Sequence, residues 1–150
     1  TTRWVPVHWR YGSVSREELA ALYRGADMAL VTSLKDGMNL VCKEYCACKT
    51  DARGVLILSE FAGAAIQLAK GALLVNPYDV DAVASAIAEG LSMVEQERRR
   101  RMRWLRKTIA RNDVFRWVDD FLRASVGKKL AEFPEEEVPA LWPGLEGDEA

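Results

Sequence analysis

The chain has 150 residues, 49% of them hydrophobic and 29% charged, which is the composition of one globular domain and not of a disordered or collagen-like polymer. Its formal net charge of −1 excludes a uniformly basic nucleic-acid binder, although a local basic patch stays open. No apolar run approaches the roughly 20 residues needed to cross a bilayer, and no basic start leads into the apolar core of a secretory signal.

The chain opens Thr1-Thr2-Arg3-Trp4, without an initiator Met, and runs at once into apolar residues. This reads as a piece cut from something longer. Val5-Pro6-Val7-His8-Trp9 reads as a short extended segment, with His8, the only histidine, in a structural role. Ser15-Arg16-Glu17-Glu18 is a capping box, in which Ser15 caps a helix and Glu18 reaches back to the cap nitrogen. That helix runs through Leu19–Tyr23 and stops near Gly25. Met28–Thr32 is an uninterrupted apolar run, expected to be a strand buried on both faces. A loop follows over Ser33–Met38, then a helix from near Asn39 to about Lys49.

Val55–Leu58 is a second buried strand. Gly63–Ala69 is a short helix of small residues suited to close packing. Leu73–Val75 is a third strand, ended by Asn76-Pro77. Asp79 or Asp81 caps the next helix, through Ala82–Ile87. Strands alternating with helices predict α/β architecture with a mainly parallel, Rossmann-like sheet. After residue 93 the pattern becomes helix on helix: an arginine-rich helix over Glu95–Ala110, a break at Asn112-Asp113, and an amphipathic helix over Val114–Leu122. The end, Pro134–Ala150, is an acidic tail with Trp142 as its one anchor.

Arg98–Arg101, Arg103, Arg106, Lys107 and Arg111 form a basic stretch that could meet phosphate. The 3–4 spacing of Met102, Leu105 and Ile109 favours the solvated face of an amphipathic helix instead. No nucleic-acid reader module is recognisable, so neither nucleic acid nor membrane is expected as a partner. Cys42, Cys46 and Cys48 are too few and too clustered for a disulfide framework. They read as small apolar side chains packed against a sheet, in a reducing, cytoplasmic setting. No metal site is expected.

The informative segment is Asp36-Gly37-Met38-Asn39-Leu40-Val41-Cys42-Lys43-Glu44. It lies at the carboxyl end of an expected strand and opens a helix, where open α/β sheets bind their ligands. Gly37 allows a ligand close to the backbone. The amides from Met38 to Leu40 would be unpaired there, and with the helix dipole they suit a phosphate or diphosphate. Glu44, one turn in, can accept two hydrogen bonds from a ribose diol, and Asp36 can bind a sugar hydroxyl. The same residues would equally make an ordinary Asp-Gly turn followed by a surface glutamate.

The full string narrows this choice. Ala21–Thr32 followed by Asp36–Tyr45, the stretch VLILSEFAGAAIQL at 55–68, ALLVNPYDVDAVASAI at 72–87, and Arg111-Asn112-Asp113 before a helix with Trp117 resemble the trehalose-6-phosphate synthases. These are retaining glycosyltransferases of the GT-B fold. The resemblance spans about Val5 to Leu122, with Ser33 where proline is common and Cys42 where alanine is common. It implies a C-terminal half of a GT-B fold: a nucleotide-sugar-binding portion at 1–93, C-terminal helices at 94–130 and the acidic tail at 131–150.

The resemblance also implies roles. Asp36 binds hydroxyls of the donor sugar. Gly37, Met38 and Asn39 offer amides to sugar and diphosphate, and Leu40 and Val41 continue that contact. Glu44 holds the ribose, and the backbone of Val14 lies near the base. The donor is expected to be UDP-glucose, the acceptor glucose 6-phosphate, with retention at the anomeric carbon and neither cofactor nor metal. Catalytic groups, the acceptor site and the basic residues for the diphosphate are expected outside this chain, which alone would be inactive. A sister transferase, such as a glucosylglycerol-phosphate synthase or a validamycin-type pseudoglycosyltransferase, shares the donor motif. A non-catalytic α/β module is the alternative from another class. An exposed strand edge would make a homo-oligomer possible.

Overall fold

The computed structural model of the chain describes residues 5–127. Their elements are α1 (Arg16–Gly25), β1 (Met28–Val31), α2 (Leu40–Cys48), β2 (Val55–Ser59), α3 (Ala65–Leu68), β3 (Leu73–Val75), α4 (Val80–Ser92), α5 (Glu95–Arg111) and α6 (Val114–Val126). The strands form one parallel sheet in the order β1-β2-β3, as the alternation of apolar runs and helices required. The chain divides into two compact units between Arg111 and Asn112. The acidic tail and Trp142 lie outside the described residues.

β2 is central, and all five of its residues are buried. Its side chains alternate between two cores. Leu56 and Leu58 join Cys42, Tyr45, Cys46, Leu68, Met102 and Leu105 on the face covered by α2 and α5. Val55 and Ile57 join Leu73, Val75 and Ala86 on the face under α4. A strand that serves two cores needs apolar residues at every position, which is why Val55–Ser59 shows no polar alternation.

β1 departs from the expectation of burial on both faces. It is an edge strand among the described residues, and only Val31 is buried. Met28 packs into the core under α4, but Leu30, on the same face two residues further on, is 48% exposed. Residues 5–14 form no regular element and are exposed, so the segment at Val5–Trp9 is not paired as a strand and His8 is held in no core.

Local sequence explains the helix starts. The hydroxyl of Ser15 accepts from the Glu18 N–H at 3.1 Å, Asp79 accepts from Ala82 N–H at 2.9 Å, and Asp113 from Arg116 N–H at 2.9 Å. Half of the capping box forms. The Glu18 carboxylate is instead taken by Arg10 at 2.7 Å, a charge-assisted bond that outcompetes a return to the cap amide. The helix expected over Gly63–Ala69 is shorter, a single turn at Ala65–Leu68.

Two helix C-termini are closed by side chains from other helices. Lys49, almost wholly buried, donates from Nζ to the carbonyls of Arg24 (2.9 Å) and Ala26 (3.0 Å) at the end of α1. Arg98 donates to the carbonyls of Gly90, Leu91 and Met93 at the end of α4, at 2.8 to 2.9 Å. In each case a cation meets the negative end of a helix dipole and satisfies carbonyls that lack an intrahelical donor.

The basic stretch behaves as the solvated side of an amphipathic helix. Met102 and Leu105 are buried and Ile109 packs against them. Arg99 pairs with Glu95, and Arg100 and Arg101 both pair with Glu97. Those two guanidiniums hold the Glu97 carboxyl down at about 2. Cys42 and Cys46 are fully buried and unbridged, and burial raises their thiols to about 11 and about 12. They act as the small apolar residues the sequence suggested. Within the second unit, Trp117 and Phe121 of α6 stack at 5.6 Å. Among the described residues no helix is long and apolar enough to cross a membrane.

Candidate functional site

The loops that leave the carboxyl ends of the strands bring the distinctive residues together. The loop after β1 carries Asp36, Gly37, Met38 and Asn39. The loop after β2 carries Ala62, Gly63 and Ala64. The two are tied by backbone bonds: Gly63 N–H donates to Asp36 O at 2.8 Å, and Ala64 N–H to Met38 O at 3.0 Å. Asp36 and Ala62 form an isolated parallel bridge. Two rows of amides and carbonyls thus hold the first loop in one position before any ligand arrives.

Gly63 makes this approach possible. A Cβ there would collide with the carbonyl oxygen of Gly37 and lie 2.7 Å from its carbon. Gly37 has the opposite surroundings, with nothing within 4 Å of a Cβ built on it. Its free side is open to a ligand, and its rear side is pressed against Gly63.

Asp36 is turned into its own loop. Oδ1 accepts from Met38 N–H at 3.0 Å and Oδ2 from the Asn39 side-chain amide at 2.8 Å. These donors hold its carboxyl below the usual range, so it is anionic at neutral pH. A carboxylate has about four acceptor positions, so Asp36 can still accept from hydroxyl groups of a ligand. One expectation is corrected here. The Met38 amide is not free, because the short Asp36 side chain folds back two residues to take it in an Asx turn.

Asn39 caps α2. Its Oδ1 accepts from Cys42 N–H at 2.9 Å, and its backbone sits at φ 68°, a left-handed conformation that asparagine tolerates better than most residues. The first-turn amides of a helix have no intrahelical acceptor. Asn39 takes that of Cys42, which leaves those of Leu40 and Val41 for another partner at the positive end of α2. Leu40 and Val41 are themselves exposed at 60% and 48%.

Glu44 stands one turn further, exposed on α2. Its Oε2 accepts from the Tyr23 hydroxyl at 3.2 Å. The Tyr23 phenol is pushed up, first by burial and then by the Glu44 charge, so it stays protonated and donates. Its ring meets that of Tyr45 edge-on, with centroids 6.2 Å apart. Val14 lies apart from regular structure, exposed in the segment before Ser15.

Asp36, Gly37, Met38, Asn39, Leu40, Val41 and Glu44 therefore share one loop and helix start, and Val14 precedes α1. Sequence reasoning missed the supports, Gly63 and Tyr23. The only signal for Gly63 was its run of small neighbours, and Tyr23 carried none. Among the described residues no three His, Cys, Asp or Glu side chains gather as a metal site would require. The arrangement sets the backbone amides of a helix start near two carboxylates, Asp36 and Glu44.

Comparison with known proteins places these residues in context. Residues 1–125 match the model of glycosyltransferase family 20. The bifunctional trehalose-6-phosphate synthase/phosphatase of Thermoproteus tenax is 51% identical over 128 residues, 85% of this chain and 17% of that protein. A UDP-forming alpha,alpha-trehalose-phosphate synthase of Burkholderia xenovorans, solved in complex with glucose-6-phosphate, superposes with a TM-score of 0.76 at 45% identity, covering 81% of this chain and 27% of that one. A chain from E. coli, solved bound with UDP-2-fluoro glucose, gives a TM-score of 0.76 at 43% identity over the same shares, 81% and 27%. The chain thus spans about a quarter or less of the proteins it matches.

Proposed function

The chain belongs to glycosyltransferase family 20, and from that premise we propose that it is the donor-binding C-terminal part of an alpha,alpha-trehalose-phosphate synthase of the GT-B fold. The intact enzyme transfers glucose from UDP-glucose to glucose 6-phosphate. The observation that carries this reading is the loop at Asp36–Asn39. It opens α2 at the carboxyl end of β1 and is locked from behind by Ala62–Ala64.

In this reading Asp36 accepts from hydroxyls of the donor glucose. Gly37 presents open backbone to the sugar, and Met38 and Asn39 line the approach to it. The amides of Leu40 and Val41 meet the diphosphate, where the helix dipole offsets its charge. Glu44 accepts from the ribose diol. Val14 gives its backbone to the base. The reaction breaks the bond from the anomeric carbon to the diphosphate and forms one to the acceptor hydroxyl on the same face. The hydroxyl proton passes to the departing diphosphate, so configuration is retained. Acceptor binding belongs to the remainder of the enzyme, and the isolated chain is inactive. Its three free cysteines fit a reducing, cytoplasmic setting.

The test is to incubate the full-length protein with UDP-glucose and glucose 6-phosphate and to follow UDP release and the product's anomeric protons by NMR. An α,α-linked disaccharide phosphate is expected. Release of UDP with a different acceptor only would move the protein to a sister transferase. Absence of nucleotide-sugar binding by the full-length protein would overturn the donor site altogether.

A further inference from the structure

Tyr23 of α1 meets the candidate donor site through Glu44. The hydroxyl of Tyr23 donates to Oε2 of Glu44 at 3.2 Å. Glu44 is otherwise an exposed carboxylate on an exposed helix face, free to rotate about three side-chain bonds. A ribose diol needs both carboxylate oxygens in one plane and one orientation. An unrestrained glutamate loses that rotamer freedom on binding.

We propose that Tyr23 is a positioning residue for nucleotide binding: it fixes the Glu44 carboxylate in the orientation that receives the two ribose hydroxyls. This rests on the donor-site reading above. The geometry suits the role. The Tyr23 ring is held edge-on by buried Tyr45, and α1 packs along α2, so the hydroxyl is aimed from a fixed base. One bond to Oε2 leaves acceptor positions on both oxygens for the diol. The phenol stays protonated across the working pH range, because burial and the neighbouring carboxylate both oppose its ionisation.

The experiment compares UDP with 2′,3′-dideoxy-UDP as ligands of the full-length enzyme, by calorimetry, for wild type, Y23F and E44A. Y23F keeps the ring and its packing on Tyr45 and removes only the hydroxyl. It is expected to weaken UDP about fivefold to tenfold, the scale of one ordinary hydrogen bond, and to leave dideoxy-UDP unaffected. Donor KM should rise more than kcat falls. In the E44A background the same substitution should change nothing.

Equal weakening of both nucleotides by Y23F would make Tyr23 a packing residue and overturn the proposal. So would a Y23F enzyme that binds UDP as tightly as wild type while E44A does not. If E44A still prefers UDP over dideoxy-UDP as strongly as wild type does, the donor-site reading of Glu44 falls, and the role of Tyr23 falls with it.

Discussion

The two ends of α2 are built on opposite principles. Its N-terminal end is held by short polar side chains at the surface: Asn39 caps it, Asp36 braces Asn39, and the Leu40 and Val41 amides have no intrahelical acceptor. Its C-terminal end is sealed. Lys49 is buried there with its ammonium on two carbonyls of α1, and the hydroxyl of buried Tyr45 donates to Asp27 O at 3.2 Å. The polar groups of the sealed end satisfy each other, so that end contributes to stability. The open end keeps unused donors and acceptors, which is what binding requires and what folding alone would not select.

The sharpest way to break this comparison is at Lys49. Lys49→Met keeps the aliphatic stem but leaves the Arg24 carbonyl without its side-chain donor and Ala26 with only a 3.5 Å contact from the Tyr45 hydroxyl. That should destabilise the chain by about 2–3 kcal/mol, a fall of roughly 10 °C in its thermal midpoint. UDP affinity of the folded full-length enzyme should not change. If nucleotide affinity fell instead while stability held, the two ends would have exchanged roles.

A smaller effect is expected behind the open end. Gly63→Ala sets a methyl group against the Gly37 carbonyl, and backbone on both sides has nowhere to retreat. The loop must move by a fraction of an ångström and strain the Gly63-to-Asp36 bond. Displacement of that order should lower kcat/KM of the full-length enzyme about tenfold to a hundredfold, with a stability cost of about 1–2 kcal/mol. Unchanged kinetics would show that the loop is not positioned by its neighbour.

What could be read from the sequence follows the same division. Contacts near in sequence were legible. Ser15 and Asp79 lie within three residues of the amides they cap, and apolar runs marked β2 and β3. The loop at 36–44 was legible as a turn that opens a helix at a strand end, but only the family resemblance of the longer string set it apart from an ordinary Asp-Gly turn. Contacts distant in sequence were not legible. Tyr23 and Glu44 are separated by 21 positions and Lys49 and Arg24 by 25, and no periodicity links them. A lysine at the end of a helix reads as solvated, since lysine is seldom buried unless paired. The edge position of β1 was hidden for a related reason: an apolar run records what a strand could bury, not which neighbours cover it. The Met38 amide was misjudged because the helix-start rule counts backbone donors without asking whether a side chain two residues back will claim one.

The smallest expected effect concerns Ser33, at the exit of β1. Its hydroxyl is buried and finds no hydrogen-bond partner among the described residues. A buried hydroxyl without a partner forfeits its hydration and gains nothing in return. Ser33→Ala removes the group while leaving the backbone able to keep its path, and so should stabilise the chain by about 1 kcal/mol. The thermal midpoint should rise by a few degrees, where removal of a satisfied hydroxyl would lower it. The outcome sharpens the comparison between the two ends of α2. A gain would mean that this stretch, three residues before Asp36, carries polarity that folding does not use, as the open end does. A loss would mean that Ser33 is partnered, and that the sealed style of construction extends closer to the site than the contacts at Lys49 and Tyr45 suggest.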